Sequence, residues 1–527
     1  MQRSLDALAE DPLDVLVVGG GIHGAWTARA AAMRGLRVGL AEAVDLASGT
    51  SSRSTMLAHG GLRYLAQFDL GLVHEALQER GILTRKMPHL VQPLPFILPF
   101  YEDAPYPRWQ LKVGIQLYSF LARGSGYPSH RFLSREKVLE LEPGISPKGL
   151  KGGALYYDGQ ILAPERLVTE IARDAHRRGA KLANHAEVSE VLTTDGRAHG
   201  AVVRDAFTGE EHTVTASTVL NTTGPFLDRV LEAFGAEDGM LRLTKGVHLI
   251  TPRFTDHAIV INARDGRTFF TLPWYRYQLI GTTDTDYTED PRDVHATQED
   301  VSYLRDSTRR WFPDAPVDQV HYTYAGLRNL LNVEGVDPSQ VTRKPLLHHH
   351  GDEGMAGFYS LAGGKLTTAR ATASELLDAA REHLGRPAPR VLDTDPLPAG
   401  RLDLRQALEE ARALVAKHGA PPETAERLVA LYGAHWPSVA EGGLKPLCDH
   451  DSLVRGEAVL AAEQEMAWTV EDVLRRRTLA WARAPCQGEE TVEAVVEVLE
   501  AAGRPRSVVQ ESATAWEESL ALNRRWR

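Results

Sequence analysis

Two cysteines, Cys448 and Cys486, are all that the 527 residues contain. So few argue against a disulfide framework and against a cysteine-ligated metal site. Long apolar runs are missing as well: no stretch approaches the ~18–20 consecutive apolar residues that a helix needs to cross a bilayer. Cations are in deficit, 59 Lys and Arg against 70 Asp and Glu, for a net charge of −11. A general nucleic-acid binder needs the opposite balance, so no nucleic-acid partner is expected. The opening "MQRSLDALAEDP" carries acids and no apolar core, which is not the pattern of a secretory signal. What remains is an ordinary globular composition, 43% hydrophobic and 24% charged, in a chain too long for a single core. It is expected in the cytosol or on a membrane surface.

Glycine, by contrast, is concentrated in one revealing place. In "DVLVVGGGIHGAWTARAAAMRGLRVGLAE" an apolar strand runs into Gly19, Gly20 and Gly21, and Gly24 follows after Ile22 and His23. The spacing is G-x-G-x-x-G between a strand and a helix. Its first glycine permits a tight turn, its second lets backbone approach a pyrophosphate, and its third lets helix pack on strand. The helix then points its first N–H groups and the positive end of its dipole at the phosphates. Glu42 ends the second strand, where a carboxylate can accept from both hydroxyls of an adenosine ribose. A dinucleotide is the expected ligand.

The chain after Glu42 favours FAD over NAD. "DLASGTSSRSTMLAHGGLRYL" is a polar, small-residue loop suited to wrapping a long extended cofactor, and it holds Thr50, Ser51, Ser52, Leu57, His59 and Gly60. "STVLNTTGP" predicts another strand, ending at Thr223 and Gly224. "GFYSLAGGKLTTARATASELLDAA" repeats strand, Gly-Gly and helix, with a helix N-terminus predicted at Lys365 to Thr367. Gly364, Lys365, Leu366 and Thr367 would then face the flavin pyrimidine, whose reduced ring carries negative charge. Val188 completes the expected cofactor contacts. With both cysteines in the C-terminal part, the FAD is expected to be bound without a covalent link.

At this point the chain resembles the FAD-dependent, membrane-associated respiratory glycerol-3-phosphate dehydrogenases along most of its length. The resemblance rests on "GGGIHGA", "TSSRSTMLAHGGLRYL", "KGVHLI", "IGTTDTDY", "YAGLRNL", "VTRKP", "GGKLTTAR" and "TVEDVLRRRTLAWA". It implies an α/β fold in which a Rossmann-like FAD domain of the glutathione-reductase type is interleaved with a mixed-sheet substrate domain, followed by an α-helical cap. It implies oxidation of sn-glycerol 3-phosphate to dihydroxyacetone phosphate by hydride transfer from C2 to flavin N5, with a membrane quinone as acceptor. The implied location is the inner face of the cell membrane, peripherally attached, and a second copy of the chain is a candidate partner. Departures stand at His23, where the family usually shows asparagine, at "GQILAPERLV", which lacks paired acids, and at Ala369, where an aromatic is common.

The chain divides on these readings into an FAD-binding domain of 12–75, 150–225 and 355–385 and a substrate domain of 76–149 and 226–354. A proline-rich linker, 386–401, leads to a helical region, 402–527. Oxidising a phosphorylated secondary alcohol needs a proton acceptor, a charge beside the flavin and a grip on the phosphate. Arg63, Arg328 and Arg343 are the candidate anchors, because a guanidinium fork matches phosphate oxygens, with Tyr64 and Thr283 beside them in family-like motifs. His59 and His248 are the candidate acid–base groups, and Lys365 the charge that stabilises a reduced ring. An oxidase passing electrons to oxygen, from glycerol 3-phosphate or from an amino acid or amine, is the alternative, and a non-enzymatic flavoprotein the third.

Two further stretches invite a function. "HHH" at 348–350 suggests a metal, but adjacent histidines in a polar loop diverge, and no metal is expected. In "YPRWQLKVGIQLYSFLARG", apolar residues from Trp109 to Leu117 alternate with period two, which predicts a strand, whereas the resemblance implies an amphipathic membrane-interface segment.

Overall fold

All four residues of the strand Val15–Val18 are buried. A parallel strand covered on both faces has no use for polar alternation, which is why "VLVV" is apolar throughout. In this computed structural model, which describes residues 1–62, 65, 69–104, 106–236, 239–263, 265–333, 344–524 and 526, that strand lies inside a six-stranded sheet. The order is Leu346–His349, Phe358–Ala362, Val219–Asn221, Val15–Val18, Val38–Ala41 and Lys181–Ala183. All neighbours run parallel except the first pair. The helix Ile22–Met33 packs between the helices Pro164–Arg177 and Ala369–Ala379.

The chain folds as two units. The first comprises Met1–Ser52, Ala163–Leu243 and Arg328–Glu517. Besides the parallel sheet it holds an antiparallel sheet of Glu211–Thr215, Arg197–Asp205 and Ala186–Thr194, and the helices that follow residue 403. The second comprises Arg53–Leu162, Thr244–Leu327 and Glu518–Arg527. It is built on a mixed ten-stranded sheet in which Val91–Tyr101 runs antiparallel to Leu150–Ile161 and parallel to Ala258–Asn262. The strand-like run at 257–284 supplies Ala258–Asn262, Thr268–Trp274 and Tyr277–Gly281 as an antiparallel meander.

One element departs from its period-two prediction. Residues 106–124 form no strand; Arg108–Leu121 is a helix. Only Ile115 and Tyr118 are buried, whereas Trp109, Val113 and Phe120 are 68%, 54% and 57% exposed. Those three fall on one helical stripe, so the alternation in the sequence sampled both faces of a helix. No helix among the described residues is long and apolar enough to cross a membrane.

Buried ion pairs tie the first unit together. Arg29 donates to Asp174 (2.7 Å) and, through both terminal nitrogens, to Asp393 (2.7 and 3.1 Å) in the proline-rich stretch. Arg166 grips Glu465 with two bonds of 2.5 and 2.9 Å and also reaches Glu170 at 2.6 Å. Asp45, three residues beyond Glu42, accepts from Arg476 (2.7 Å) and Arg477 (2.8 and 2.9 Å), so "RRR" of the C-terminal part holds the loop after the second strand. Removing one member of such a set leaves an uncompensated buried charge, which costs about 3–5 kcal/mol.

Glu165, in the first turn of Pro164–Arg177, is a buried acid of another kind. It is fully buried, and neither carboxyl oxygen has a side-chain hydrogen-bond partner among the described residues. Burial pushes its carboxyl up to about 8, against the opposing pull of its own backbone N–H and of Arg475 and Arg476. The folded state therefore holds a proton that the unfolded chain releases near its ordinary value of 4.5. That contribution to stability is complete below about pH 4.5 and is lost as pH rises through about 8. Glu165→Gln is expected to remove this dependence and to gain roughly 2–4 kcal/mol on the wild type at pH 8 relative to pH 5, measured by chemical denaturation.

Candidate functional site

The glycine turn is dictated by contact distances. Gly19 sits at φ +99°, and a Cβ there would lie 2.9 Å from the carbonyl oxygen of Thr222. A Cβ on Gly24 would lie 1.8 Å from the carbonyl oxygen of Gly19, so helix and strand approach only if both residues are bare. Thr222 closes the turn from the other side, its hydroxyl donating to the carbonyls of Val18 (2.9 Å) and Gly19 (3.2 Å). The neighbouring Thr223 donates its N–H (3.1 Å) and hydroxyl (2.7 Å) to Asn221, and Gly224 follows at φ +61°.

The other predicted nucleotide contacts of the first unit gather around this turn. Ser51 accepts from the N–H of Ile22 at 2.9 Å, at the start of the helix whose N-cap is Gly21. Ser51 belongs to the short 3₁₀ turn Thr50–Ser52. Glu42 ends the second strand as expected, with one carboxylate oxygen accepting from Gly20 (2.6 Å) and the other from Val44 (2.8 Å). Burial pushes its carboxyl up, and the Val44 and Gly20 N–H groups oppose that. Val188 is paired with Val203 in the antiparallel sheet and belongs to the buried cluster that includes Val18 and Ala41.

A second cradle sits at the end of Phe358–Ala362. Gly363 and Gly364 have φ of +77° and +89°, and a Cβ on Gly364 would lie 2.8 Å from Nε2 of His23. That nitrogen is buried and has no hydrogen-bond partner among the described residues. Burial lowers the His23 pKa to about 4, so the ring is neutral at pH 7. The amide of Asn329 donates to the Gly363 carbonyl at 3.2 Å, which brings the chain at Arg328 alongside the turn carrying Lys365. The helix here begins at Ala369, not at Lys365 to Thr367 as predicted. The two left-handed glycines delay it, and Leu366 and Thr367 fall in the turn before it.

The second unit holds the remaining described candidates. Nε2 of His248 is 3.0 Å from the hydroxyl of Thr55, and its ring stacks on Tyr324 at 4.7 Å and 14°. Tyr324 in turn donates to the Ser54 carbonyl at 2.8 Å. Thr283 accepts from the N–H of Val247, beside His248, at 2.9 Å. His59 follows the short strand Leu57–Ala58 and turns its ring edge toward Phe270, 6.4 Å away. Gly60 is held by a buried network: its N–H donates to Tyr118 (2.9 Å), which donates to Asp158 (2.8 Å), itself paired with Arg80 (2.6 Å). Arg63, Tyr64 and Arg343 lie outside the described residues. Thr55, Tyr324 and the Arg80–Asp158–Tyr118 set were not singled out from the sequence. Their pairing spans 193 residues between Thr55 and His248 and 270 between Tyr324 and Ser54, and leaves no local signal.

The arrangement suits a flavin dinucleotide: bare backbone at Gly19 and Gly24, an acid at the end of the second strand, and a glycine cradle facing the orphaned Nε2 of His23. Comparison with known proteins agrees. A family model described as FAD dependent oxidoreductase matches residues 14–379, and one described as the C-terminal domain of alpha-glycerophosphate oxidase matches 401–503. A glycerol-3-phosphate dehydrogenase of Synechocystis is 36% identical over 507 residues, covering 90% of each chain. The aerobic glycerol-3-phosphate dehydrogenase of Bacillus subtilis is 33% identical, covering 90% of this chain and 88% of its own.

The chain belongs to the FAD-dependent glycerol-3-phosphate dehydrogenase family.

The solved structure of the Bacillus halodurans glycerol-3-phosphate dehydrogenase, complexed with FAD, superposes with a TM-score of 0.81 at 30% identity, covering 98% of this chain and 96% of that one. A glycine oxidase from Geobacillus kaustophilus shares the fold at 22% identity and a TM-score of 0.53. As a member of this family the chain is an FAD-dependent oxidoreductase. A Rossmann-like sheet, a mixed second sheet and a helical C-terminal part are its architecture.

Proposed function

We propose that the protein oxidises sn-glycerol 3-phosphate to dihydroxyacetone phosphate and passes the electrons to a membrane quinone. The observation that carries the substrate is the likeness to glycerol-3-phosphate dehydrogenases over nine-tenths of the chain. Bound FAD, held without a covalent link, supplies the two-electron acceptor. The chain's own residues supply the rest. His59 and His248 are the acid–base candidates for the C2 hydroxyl, and the Thr55 contact and Tyr324 stack fix the orientation of His248. Lys365, on the turn after the glycine cradle, is the cation that favours an electron-rich flavin ring. Arg328, with Arg343 and Arg63, is assigned to the phosphate dianion, because a phosphate calls for several cationic anchors and an amine does not.

We further propose that the exposed stripe of Trp109, Val113 and Phe120 on Arg108–Leu121 docks on the membrane surface. Arg108, Lys112 and Arg123 form a basic fringe, the Arg123 guanidinium lying 4.7 Å from the Phe120 ring centroid. An aromatic stripe with flanking cations suits an anionic lipid interface. A Trp109→Glu, Phe120→Glu double variant is expected to leave the membrane fraction and to stop sedimenting with anionic vesicles at low salt. Wild-type protein that never sediments with those vesicles contradicts the attachment.

For the anchor, a charge-assisted contact to a partly buried phosphate is worth roughly 1.5–3 kcal/mol, so Arg328→Ala is expected to raise KM about ten- to a hundredfold with flavin content unchanged. Arg328→Lys restores only part, because a point charge cannot reproduce the planar fork. Glycerol, which lacks the phosphate, is the control: its poor turnover is expected to be nearly indifferent to the change. Equal losses on both substrates would assign Arg328 to the fold or the flavin instead.

A further inference from the structure

The two cysteines of this chain, 38 positions apart in sequence, meet. The Sγ atoms of Cys448 and Cys486 and a carboxylate oxygen of Glu490 all lie within 4.8 Å of one another. Each sulfur is also wrapped by its own loop. The loop after Cys448 turns the backbone N–H groups of His450 and Asp451 toward its sulfur, and the loop after Cys486 those of Gly488 and Glu490. The second loop makes its curl with Gln487 and Gly488 at φ +54° and +85°. Backbone N–H groups aimed at sulfur stabilise thiolate over thiol, and two such sulfurs facing each other repel unless a proton or a cation stands between them. His450 lies beside this group of three, its Nε2 3.5 Å from Oε1 of Glu490, and is the nearest candidate for a fourth ligand.

We propose that Cys448, Cys486, Glu490 and His450 bind a divalent transition-metal ion, zinc by the preference of this ligand set, as a clip between the two loops. Zinc takes sulfur at ~2.3 Å and imidazole or carboxylate at ~2.0–2.2 Å, so Cys448, Cys486 and Glu490 need only small side-chain rotations to close around it, and His450 swings in from beside Glu490. Two thiolates, an imidazole and a carboxylate make a tetrahedral set with no position left for substrate, which marks a structural ion. Binding the ion requires both thiols to give up their protons, so affinity rises with pH.

The position has a consequence for the fold. The Cys448 loop carries Asp451, which accepts from the fully buried Arg427 at 3.3 Å. Arg427 also donates to the Thr478 carbonyl at 2.6 Å, directly after the "RRR" turn that holds Asp45. A clip between the loops therefore steadies the packing behind the nucleotide strand, and it stands independently of which alcohol the enzyme oxidises. With only two cysteines in the chain, the sequence suggested no cysteine-ligated metal site.

The test uses the flavin-loaded enzyme carrying no histidine tag, purified under argon with a thiol reductant and no chelator. Metal analysis is expected to find about one zinc per chain, and chelation should lower Tm while the flavin stays bound. Cobalt(II) added to the metal-free enzyme should give a sulfur-to-cobalt charge-transfer band at one equivalent. Cys448→Ser and Cys486→Ser should abolish the band. Because a cysteine variant could fail to fold, the double variant of the exposed ligands, Glu490→Gln with His450→Ala, serves as the second probe: it should keep its flavin and weaken cobalt binding at least about tenfold. No charge-transfer band in the reduced wild type, an unchanged band in the cysteine variants, or a Cys448–Cys486 disulfide in protein kept under argon would each overturn the site.

Discussion

The approach of Gly24 to the carbonyl of Gly19 is the constraint on which the nucleotide end of this molecule depends. Any Cβ at position 24 would fall 1.8 Å from that oxygen. With the two residues bare, the helix Ile22–Met33 starts directly over the end of Val15–Val18, and the positive end of its dipole faces the place a pyrophosphate would take. The strand must then be apolar on both faces, the helix must be flanked by two others, and the acid at the end of Val38–Ala41 must lie beside the turn. Gly20 and Glu42 show the last point directly, in a hydrogen bond of 2.6 Å.

Charge holds that arrangement from behind. Asp45 accepts from Arg476 and Arg477, and Arg166 donates to Glu465, so the C-terminal helices fix the loop after the second strand and the helix Pro164–Arg177 through buried groups. Such pairs add little net stability over apolar packing, but they tolerate only one arrangement of their donors and acceptors. They specify where the loop beyond Glu42 runs.

Much of this was legible in the sequence because it is local. The glycine spacing, Glu42 at a strand end, the turn at Thr223 and Gly224, and the strands of 257–284 each follow from a short window of residues and its periodicity. Two local readings went astray for physical reasons. Residues 109–117 alternate apolar and polar, yet fold as a helix that buries only Ile115 and Tyr118 and leaves its apolar stripe outside. Lys365 stands four positions ahead of its helix because Gly363 and Gly364 both take left-handed backbone. What no window could show is the pairing of distant groups: Thr55 with His248, Asp45 with Arg477, and Cys448 with Cys486.

The central claim is that this flavoenzyme takes its electrons from glycerol 3-phosphate and hands them to a quinone. Anaerobic mixing of the purified yellow enzyme with glycerol 3-phosphate, followed by a quinone analogue or by air, reads both halves in the flavin absorbance. Glycerol 3-phosphate, and not amino acids, is expected to bleach the flavin, and recovery is expected to be fast with the quinone analogue and slow in air. Bleaching by an amino acid alone would contradict the substrate, and recovery faster in air than with the quinone analogue would make the protein an oxidase.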